Sequence, residues 1–263
     1  MKIILWNERD RPSPAEAACY PDGIHRSLAA HLAARADLSF HTRSLDDPAQ
    51  GLEPEDLATA DVLVVWAHHR HSEVSEASIL RVQQRVLAGM GLVVLHSAVW
   101  WPPFVRLMGT TCQLNYRMTL EREMLWCVHP GHPIAQGVGT GLTLEQEEVY
   151  CEHFDIPHPD ELIFLSSFAG GEAFRSGCCW RRGAGHIFYF RPGHETVPTY
   201  HDPRILRVIE NAIRWACPTG SMRFESGPKE QGFIDRPTRP EEPLVVGRSH
   251  LFAPILPPEK YIR

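Results

Sequence analysis

Short apolar runs recur along the chain without the alternation of polar and apolar positions that marks a half-exposed strand. Runs of this kind, rich in Val, Ile and Leu, are typical of strands buried on both faces of a parallel sheet. Between these runs, apolar positions follow the spacing of helices. Strands and helices therefore alternate along the chain, which predicts an α/β fold. The five predicted strands are Ile3 to Trp6, Val62 to Trp66, Leu92 to Leu95, Leu162 to Leu165 and Ile187 to Phe190.

Three segments have the apolar periodicity of helices: 23–36, 75–90 and 202–216. The last is the clearest, because Asp202 can cap its N-terminus and Pro203 suits its first turn. Residues 110–160 mix an alternating strand, Arg117 to Val128, with loops broken by proline. They predict an extension at the edge of the sheet rather than a separate domain.

The segment 219–263 is rich in proline and charge, which separates it from a predicted α/β domain over 1–218. Within it, Leu244 to Val246 and Leu251 to Leu256 are too apolar to remain in free solvent. We therefore expect this tail to pack on its own domain or on a neighbouring subunit, and the protein to be a homo-oligomer.

Composition narrows the function further. The 263 residues carry a net charge of -6 and no basic cluster, so nucleic acid is not an expected partner. No run approaches the roughly 20 apolar residues of a membrane span, and the first residues become charged too early for a signal peptide. We expect a cytoplasmic protein without membrane partners. The seven cysteines include no C-x-x-C pair, which favours reduced thiols.

Polar residues follow the ends of four predicted strands. In open α/β sheets, ligands bind at the carboxyl ends of the strands, because loops and helix N-termini converge there. We call this predicted edge the polar rim and expect the active site on it. The rim residues are Asn7 and Glu8, then His68, His69 and His71, then His96 and Ser97, and finally Arg191, His194 and Glu195.

Two further segments bring polar side chains toward this rim. The segment 145–154 holds four carboxylates and an imidazole, and in an extended chain Glu148, Tyr150 and Glu152 would share one face. A solvated acidic edge is the simpler interpretation of the same pattern. The segment 20–25 would place His25 in the first turns of a helix near the rim.

Histidine with glutamate indicates two chemistries. Imidazole and carboxylate are ligands for Zn²⁺ or another divalent ion. Alternatively, a His and a Glu with differently shifted pKa values move protons on a carbonyl-bearing substrate. The sequence leaves both open.

Specific motifs extend in one order over nearly all of 1–218, and with them the chain resembles the trehalose-utilisation (ThuA-like) family. That resemblance implies a flavodoxin-like, class I glutamine amidotransferase-like fold with a doubly wound parallel sheet, and a link to catabolism of trehalose and related disaccharides. It does not define the reaction. The motifs are WNE at 6–8, YPDGIH at 20–25, H-x-x-H-x-E-V-S at 68–75, RVLAGMGLVVLHS at 85–97, LMGTTC at 107–112, EQEEVYCEHFDIP at 145–157, FRSGCC at 174–179 and FYFRPGHET at 188–196.

The chain departs from the family pattern at Ala67 and Ala98, where glycine is expected, which narrows backbone freedom at two turns of the rim. After the central strand it has His96 and Ser97 where glutamine amidotransferases carry a nucleophilic cysteine. This argues against glutaminase activity.

We weigh three functions. The first is an enzyme acting on a keto-disaccharide or glycoside as lyase, hydrolase or isomerase. Its predicted catalytic residues are His96, Glu148 and His194, and its predicted substrate-binding residues are Asn7, His68, His71, Trp100 and Arg191. The second is a non-catalytic sugar- or metal-binding accessory protein of a sugar dehydrogenase. The third, a serine hydrolase using Ser97, lacks the G-x-S-x-G turn.

The expected ligand is a small sugar, and no nucleotide cofactor is expected. For the metal interpretation, His25, Glu152 and His153 are the predicted ligands of Zn²⁺ or a similar divalent ion. Its rival is a metal-free site in which His96, Glu148 and His194 transfer protons.

Overall fold

The computed structural model describes residues 1–218, and the predicted tail over 219–263 lies outside them. Apolar runs form the buried strands, and helices with one apolar side cover them. The strands are β1 Lys2–Asn7, β2 Ser39–Ser44, β3 Val62–Trp66, β4 Gly91–Leu95, β5 Asn115–Cys127, β6 Gly141–Cys151, β7 Glu161–Phe168, β8 Ala173–Arg182 and β9 Gly185–Phe190. The helices are α1 Pro14–Ala17, α2 Ile24–Leu32, α3 Pro54–Thr59, α4 Glu76–Leu87, α5 Pro102–Met108 and α6 Pro203–Ala216.

Within residues 1–218 the strands form one sheet in the order β2-β1-β3-β4-β9-β8-β7-β5-β6. The first five are parallel neighbours. Their order is that of flavodoxin-like sheets, which confirms the predicted fold class. The remaining four strands pair antiparallel. The strand predicted at Leu162 to Leu165 as part of the parallel sheet belongs instead to antiparallel β7.

Helices cover both faces of the parallel half, as a doubly wound sheet requires. Helices α2 and α6 contribute to the apolar core on one face, and α3, α4 and α5 to the core on the other. Asp202 caps α6 by accepting a hydrogen bond from the Arg204 amide, as the sequence predicted. No helix of the described part is long and apolar enough to cross a membrane.

Candidate active site at the carboxyl edge of the sheet

The turn after β4 positions His96 at the centre of the polar rim. The chain leaves β4 at Leu95 and enters a 3-10 turn over His96–Trp100. His96 begins this turn with φ 51°, in the left-handed region that non-glycine residues seldom occupy. Its ring is fully buried, and Nδ1 lies 3.0 Å from the carbonyl oxygen of Arg191. Because that oxygen can only accept, Nδ1 carries the proton and Nε2 faces the site.

Two further imidazoles lie beside His96, one following β3 and one following β9. The ring centroids are separated by 5.7 Å between His68 and His96, 5.3 Å between His68 and His194, and 5.5 Å between His96 and His194. We call these three rings the imidazole cluster. Their proximity confirms the prediction that strands far apart in sequence bring these residues to one edge of the sheet.

Strand β6 brings a carboxylate to the cluster from the antiparallel half. Glu148 Oε2 lies 3.3 Å from His96 Nε2, and both side chains are buried. Burial raises the pKa of Glu148, but the neighbouring imidazoles of His96, His194 and His68 outweigh it and hold the pKa below its usual value. Glu148 is therefore an ionised carboxylate at neutral pH, in contact with a histidine.

Tyr150, two residues along β6, stacks on His96 with centroids 5.3 Å apart, so it shares the face of Glu148 as predicted. Its hydroxyl lies 2.6 Å from Ser97 Oγ. Ser97 is fully buried and its hydrogen-bond partner is this phenol rather than a basic group. The serine-hydrolase hypothesis therefore finds no activated nucleophile here.

An acidic residue orients His68. Glu195 Oε2 lies 2.8 Å from His68 Nδ1. Burial works against charging His68, yet the hydrogen bond and charge of Glu195 raise its pKa, while His68 lowers the pKa of Glu195 to about 2 despite burial. His194 differs: burial, reinforced by His96, lowers its pKa, so it is neutral at pH 7. The cluster thus combines an imidazole whose pKa is raised by a paired carboxylate with one whose pKa is lowered by burial.

The loop after β3 is held by Glu8, a buried residue of the rim. Glu8 Oε2 accepts the backbone amides of His68, His69 and Arg70 at 2.8, 2.7 and 2.8 Å. One carboxylate oxygen thus fixes the backbone that carries His68. The sequence placed Glu8 on the rim but assigned it no role.

Arg191 is a buried structural residue rather than a substrate-binding one. Its guanidinium is fully inaccessible, donates to Glu123, and donates to the Glu148 backbone oxygen at 2.6 Å. Glu147 Oε2 lies 3.6 Å away. A substrate cannot reach these nitrogen atoms, which corrects the prediction for Arg191. Asn7 is also fully buried and donates to the Arg9 carbonyl, so the structure does not support direct substrate contact there either.

A cleft of about 230 Å³ opens above the imidazole cluster. Trp100 is the predicted platform on its wall, 6.1 Å from the Tyr116 ring and 6.2 Å from the Tyr150 ring. The ring centroid of His71 lies 6.4 Å from that of Trp100, but His71 does not line the cleft. A larger cavity of about 550 Å³ lies beside Arg26 and Arg43 and contains none of the cluster, so its size does not make it the better candidate. The cleft is lined by His68, His69, Trp100, Tyr116, Met118, Glu148 and Tyr150.

The predicted metal ligands are not brought together. Glu152 Oε1 accepts from Arg175 Nε at 2.8 Å, and His25 is buried at the start of α2, beside the larger cavity. In residues 1–218, the group of three or more potential ligands within 4.8 Å of one another includes neither of these nor His153. The family motifs that contain the three residues therefore do not make a common site. The group that does form is His68, His96, His194 and Glu195.

Several site residues were beyond the sequence prediction. Glu123 lies on β5, where the alternation of apolar residues gave a strand but no reason to expect a buried carboxylate. Tyr116 and Met118 lie on the same strand. Their exposed side chains gave no reason to expect that they line a cleft. Most apolar positions of β5 are exposed and Glu123 lies on the opposite face among polar residues, so the pattern carried no signal for its burial.

The fold and this edge define a class: an open α/β sheet whose carboxyl edge gathers three imidazoles and two carboxylates under an aromatic cleft. A family model described as trehalose utilisation, ThuA, matches residues 15–216. The chain belongs to this ThuA family. Among curated proteins, none matches the sequence.

Solved structures agree on the fold. A ThuA-like protein from Bacteroides uniformis superposes with a TM-score of 0.63 at 15% identity, covering 82% of this chain and 90% of that one. A ThuA-like protein from Parabacteroides merdae gives 0.58 at 14% identity, covering 84% and 91%. A Salmonella typhimurium protein described as cytoplasmic gives 0.56 at 10% identity, covering 83% and 100%. At these identities the similarity establishes the fold alone.

Proposed function

We propose that this protein is an enzyme of disaccharide utilisation that acts on a keto-disaccharide or related glycoside by proton transfer. Membership of the trehalose-utilisation family supports the sugar role. The observation that carries the catalytic part is the contact of 3.3 Å between His96 Nε2 and Glu148 Oε2, buried at the floor of the cleft. Within residues 1–218 neither atom has a hydrogen-bond partner, so both are available to a substrate.

Charge favours Glu148 as the proton acceptor. The neighbouring imidazoles keep its carboxylate ionised in a site from which water is largely excluded. A hydrogen on the carbon next to a ketone is acidic, so a positioned carboxylate can remove it. His194 is neutral and its ring centroid lies 5.5 Å from that of His96, so we assign it the hydrogen bond to the ketone oxygen as charge develops.

The walls of the cleft suit a sugar. Trp100 and Tyr116 present flat aromatic surfaces, and the C–H faces of sugar rings pack well on such surfaces. His69, exposed at the mouth, can hydrogen-bond a hydroxyl group. A volume of about 230 Å³ is below the roughly 300–1,000 Å³ of drug-sized pockets, so one ring of a disaccharide would occupy the cleft and the other would extend beyond it.

The test is turnover of oxidised disaccharides, with exchange of the hydrogen beside the ketone followed by NMR in D₂O. Glu148→Gln should lower kcat by about 10²–10⁴ while the substrate still binds, because the amide cannot accept the proton. Glu145→Gln, at an exposed position on the same strand, is the matched control and should keep full activity. Binding without turnover in the wild type would instead favour the accessory-protein alternative. Equal kcat for Glu148→Gln and wild type would remove Glu148 from the mechanism.

The expected homo-oligomer and cytoplasmic location stay predictions. The apolar segments on which the oligomer prediction depends lie outside the described residues. Light scattering on the full chain, and on a chain ending at residue 218, tests whether the tail holds copies together.

A further inference from the structure

We propose that the imidazole cluster and Glu195 bind a divalent transition-metal ion, of which Zn²⁺ is the probe of choice. His68, His96, His194 and Glu195 each offer one ligand atom, and these atoms lie within 4.8 Å of one another. Three imidazoles with a carboxylate are a ligand set that suits Zn²⁺ and chemically similar ions. The residues differ from the set predicted from the sequence.

The rings already have the spacing of imidazoles around one ion. Their centroids form a nearly equilateral triangle with sides of 5.3 to 5.7 Å, and each pair is close to perpendicular, at 76 to 82°. Three imidazoles sharing Zn²⁺ at the usual bond length of about 2.0–2.1 Å place their centroids roughly 5 to 5.5 Å apart. Only a slight contraction is needed.

Each ring is held by one nitrogen; the partners of His96 and His194 lie outside the proposed ligand set, whereas His68 is held by Glu195, itself a proposed ligand. His96 Nδ1 donates to the Arg191 carbonyl oxygen at 3.0 Å, and His68 Nδ1 lies 2.8 Å from Glu195 Oε2. His194 Nδ1 is 2.9 Å from Thr196 Oγ1 and 3.2 Å from the Thr196 amide. Because the Thr196 amide donates to Nδ1, the metal-free ring carries its proton on Nε2, and ligation by Nε2 requires that this proton move to Nδ1, where Thr196 Oγ1 can accept it. Such outer partners fix the ring orientation of metal-bound histidines.

An unsatisfied atom points into the site. The ring of His96 is fully buried, and its Nε2 has no hydrogen-bond partner among residues 1–218. With the proton on Nδ1, this nitrogen has a free lone pair, and a buried lone pair without a partner costs free energy. A cation in the triangle would satisfy it. The negative charges of Glu195 and Glu148, both in contact with the cluster, would offset the charge of the ion.

The binding inference does not depend on the proposed function, and only the role of the metal rests on it. A bound divalent ion acts as a Lewis acid toward a sugar carbonyl. Glu148 does not belong to the four-residue group, so it remains free as the proton acceptor. The three histidines would then hold the ion rather than transfer protons themselves.

Calorimetric titration of chelator-treated full-length protein with Zn²⁺ tests the site. We expect one equivalent to bind, and affinity to fall at least about tenfold in His68→Gln and in His194→Gln. His129→Gln is the matched control, since His129 has a side chain 46% exposed and pairs with Glu161 rather than with any of the four proposed ligands, and it should bind as the wild type does. Circular dichroism confirms that each variant is folded.

The result that overturns the proposal is absence of stoichiometric binding, or binding that both cluster variants retain. Loss of binding in His153→Gln with retention in His68→Gln would also overturn it. The two proposals fail separately: full turnover by metal-free protein would remove the metal from the mechanism and leave Glu148 in place. Metal binding that depends on His68, without turnover, would support the metal site and count against the proposed function.

Discussion

The two halves of the sheet differ in what they bury and in what they bring to the site. In the parallel half, β1, β3 and β4 are buried at nearly every position because helices cover both faces. In the antiparallel half, β5 leaves Met118 and Trp126 exposed. The parallel half supplies the turns that carry the imidazoles, whereas the antiparallel half supplies Glu148 and the aromatic wall. The parallel half is thus buried on both faces of the sheet, whereas the antiparallel half has exposed apolar side chains.

One residue joins the halves. Arg191 follows β9, the last parallel strand, and its carbonyl oxygen holds His96. Its guanidinium reaches Glu123 on β5 and the backbone of Glu148 on β6. The relative position of Glu148 and His96 therefore depends on the fully buried guanidinium of Arg191 and its acidic partners.

The largest expected effect comes from breaking this connection. Arg191→Met leaves Glu123 and Glu147 buried near each other without a counter-charge, and we expect a loss of about 3–5 kcal/mol in the free energy of unfolding. Denaturant unfolding measures it. Arg106→Met, which removes an exposed partner of Glu76, is the control and should cost at most about 1 kcal/mol. Equal losses in the two variants would contradict a joining role for Arg191.

The next prediction sharpens the contrast in packing. Leu92→Ala, on β4, should destabilise the protein by about 3 kcal/mol because the cavity lies between two covered faces. Leu120→Ala, on β5, removes the same atoms from a side chain that is already 43% exposed and should cost less than about 1 kcal/mol. Thermal and denaturant unfolding compare the pair. Similar losses would mean that the antiparallel face is covered in solution.

A smaller effect concerns pH within the parallel half. Burial, with the charge of Arg26 adding to it, lowers the pKa of His25 from 6.5 to about 4. As the pH falls through 6.5, His25 therefore becomes protonated in the unfolded chain but stays neutral in the folded protein. Stability from this residue is complete above pH 6.5 and is lost as the pH falls toward 4.

Between pH 6.5 and about 4.5 the wild type should lose about 2 kcal/mol more than His25→Gln. Urea unfolding at a series of pH values measures the difference, and the variant controls for the titration of every carboxylate. Parallel stability curves for the two proteins would show that His25 is not held neutral by the fold.

The fold was predictable where burial is complete. Unbroken apolar runs gave β1, β3, β4 and β9, and the capping residues gave α6. Edge strand β2 was missed because its half-exposed polar residues have no apolar pattern. Strand β8 was missed because only its antiparallel pairing with β7 and β9 makes it a strand.

The candidate site was predictable to the extent that topology determines it. Strand ends in a parallel sheet share one edge, so His68, His96 and His194 could be grouped from the sequence alone. The burial of Arg191 was not predictable, because it depends on carboxylates that β5 and β6 bring from elsewhere. The grouping of His25 with Glu152 failed for a related reason: β6 carries the glutamate to Arg175 instead.

The left-handed backbone of His96 bears on how such a sequence evolves. Glycine adopts φ near 51° without the steric penalty that a β-carbon brings, so selection for stability alone would favour glycine at this position. A histidine at this position keeps a less favourable backbone conformation. In return it provides an imidazole that no other residue of the turn supplies. Natural variation at position 96 should therefore record a trade-off between activity and robustness: lineages that lose the chemistry are free to drift to glycine, whereas those that keep it are not.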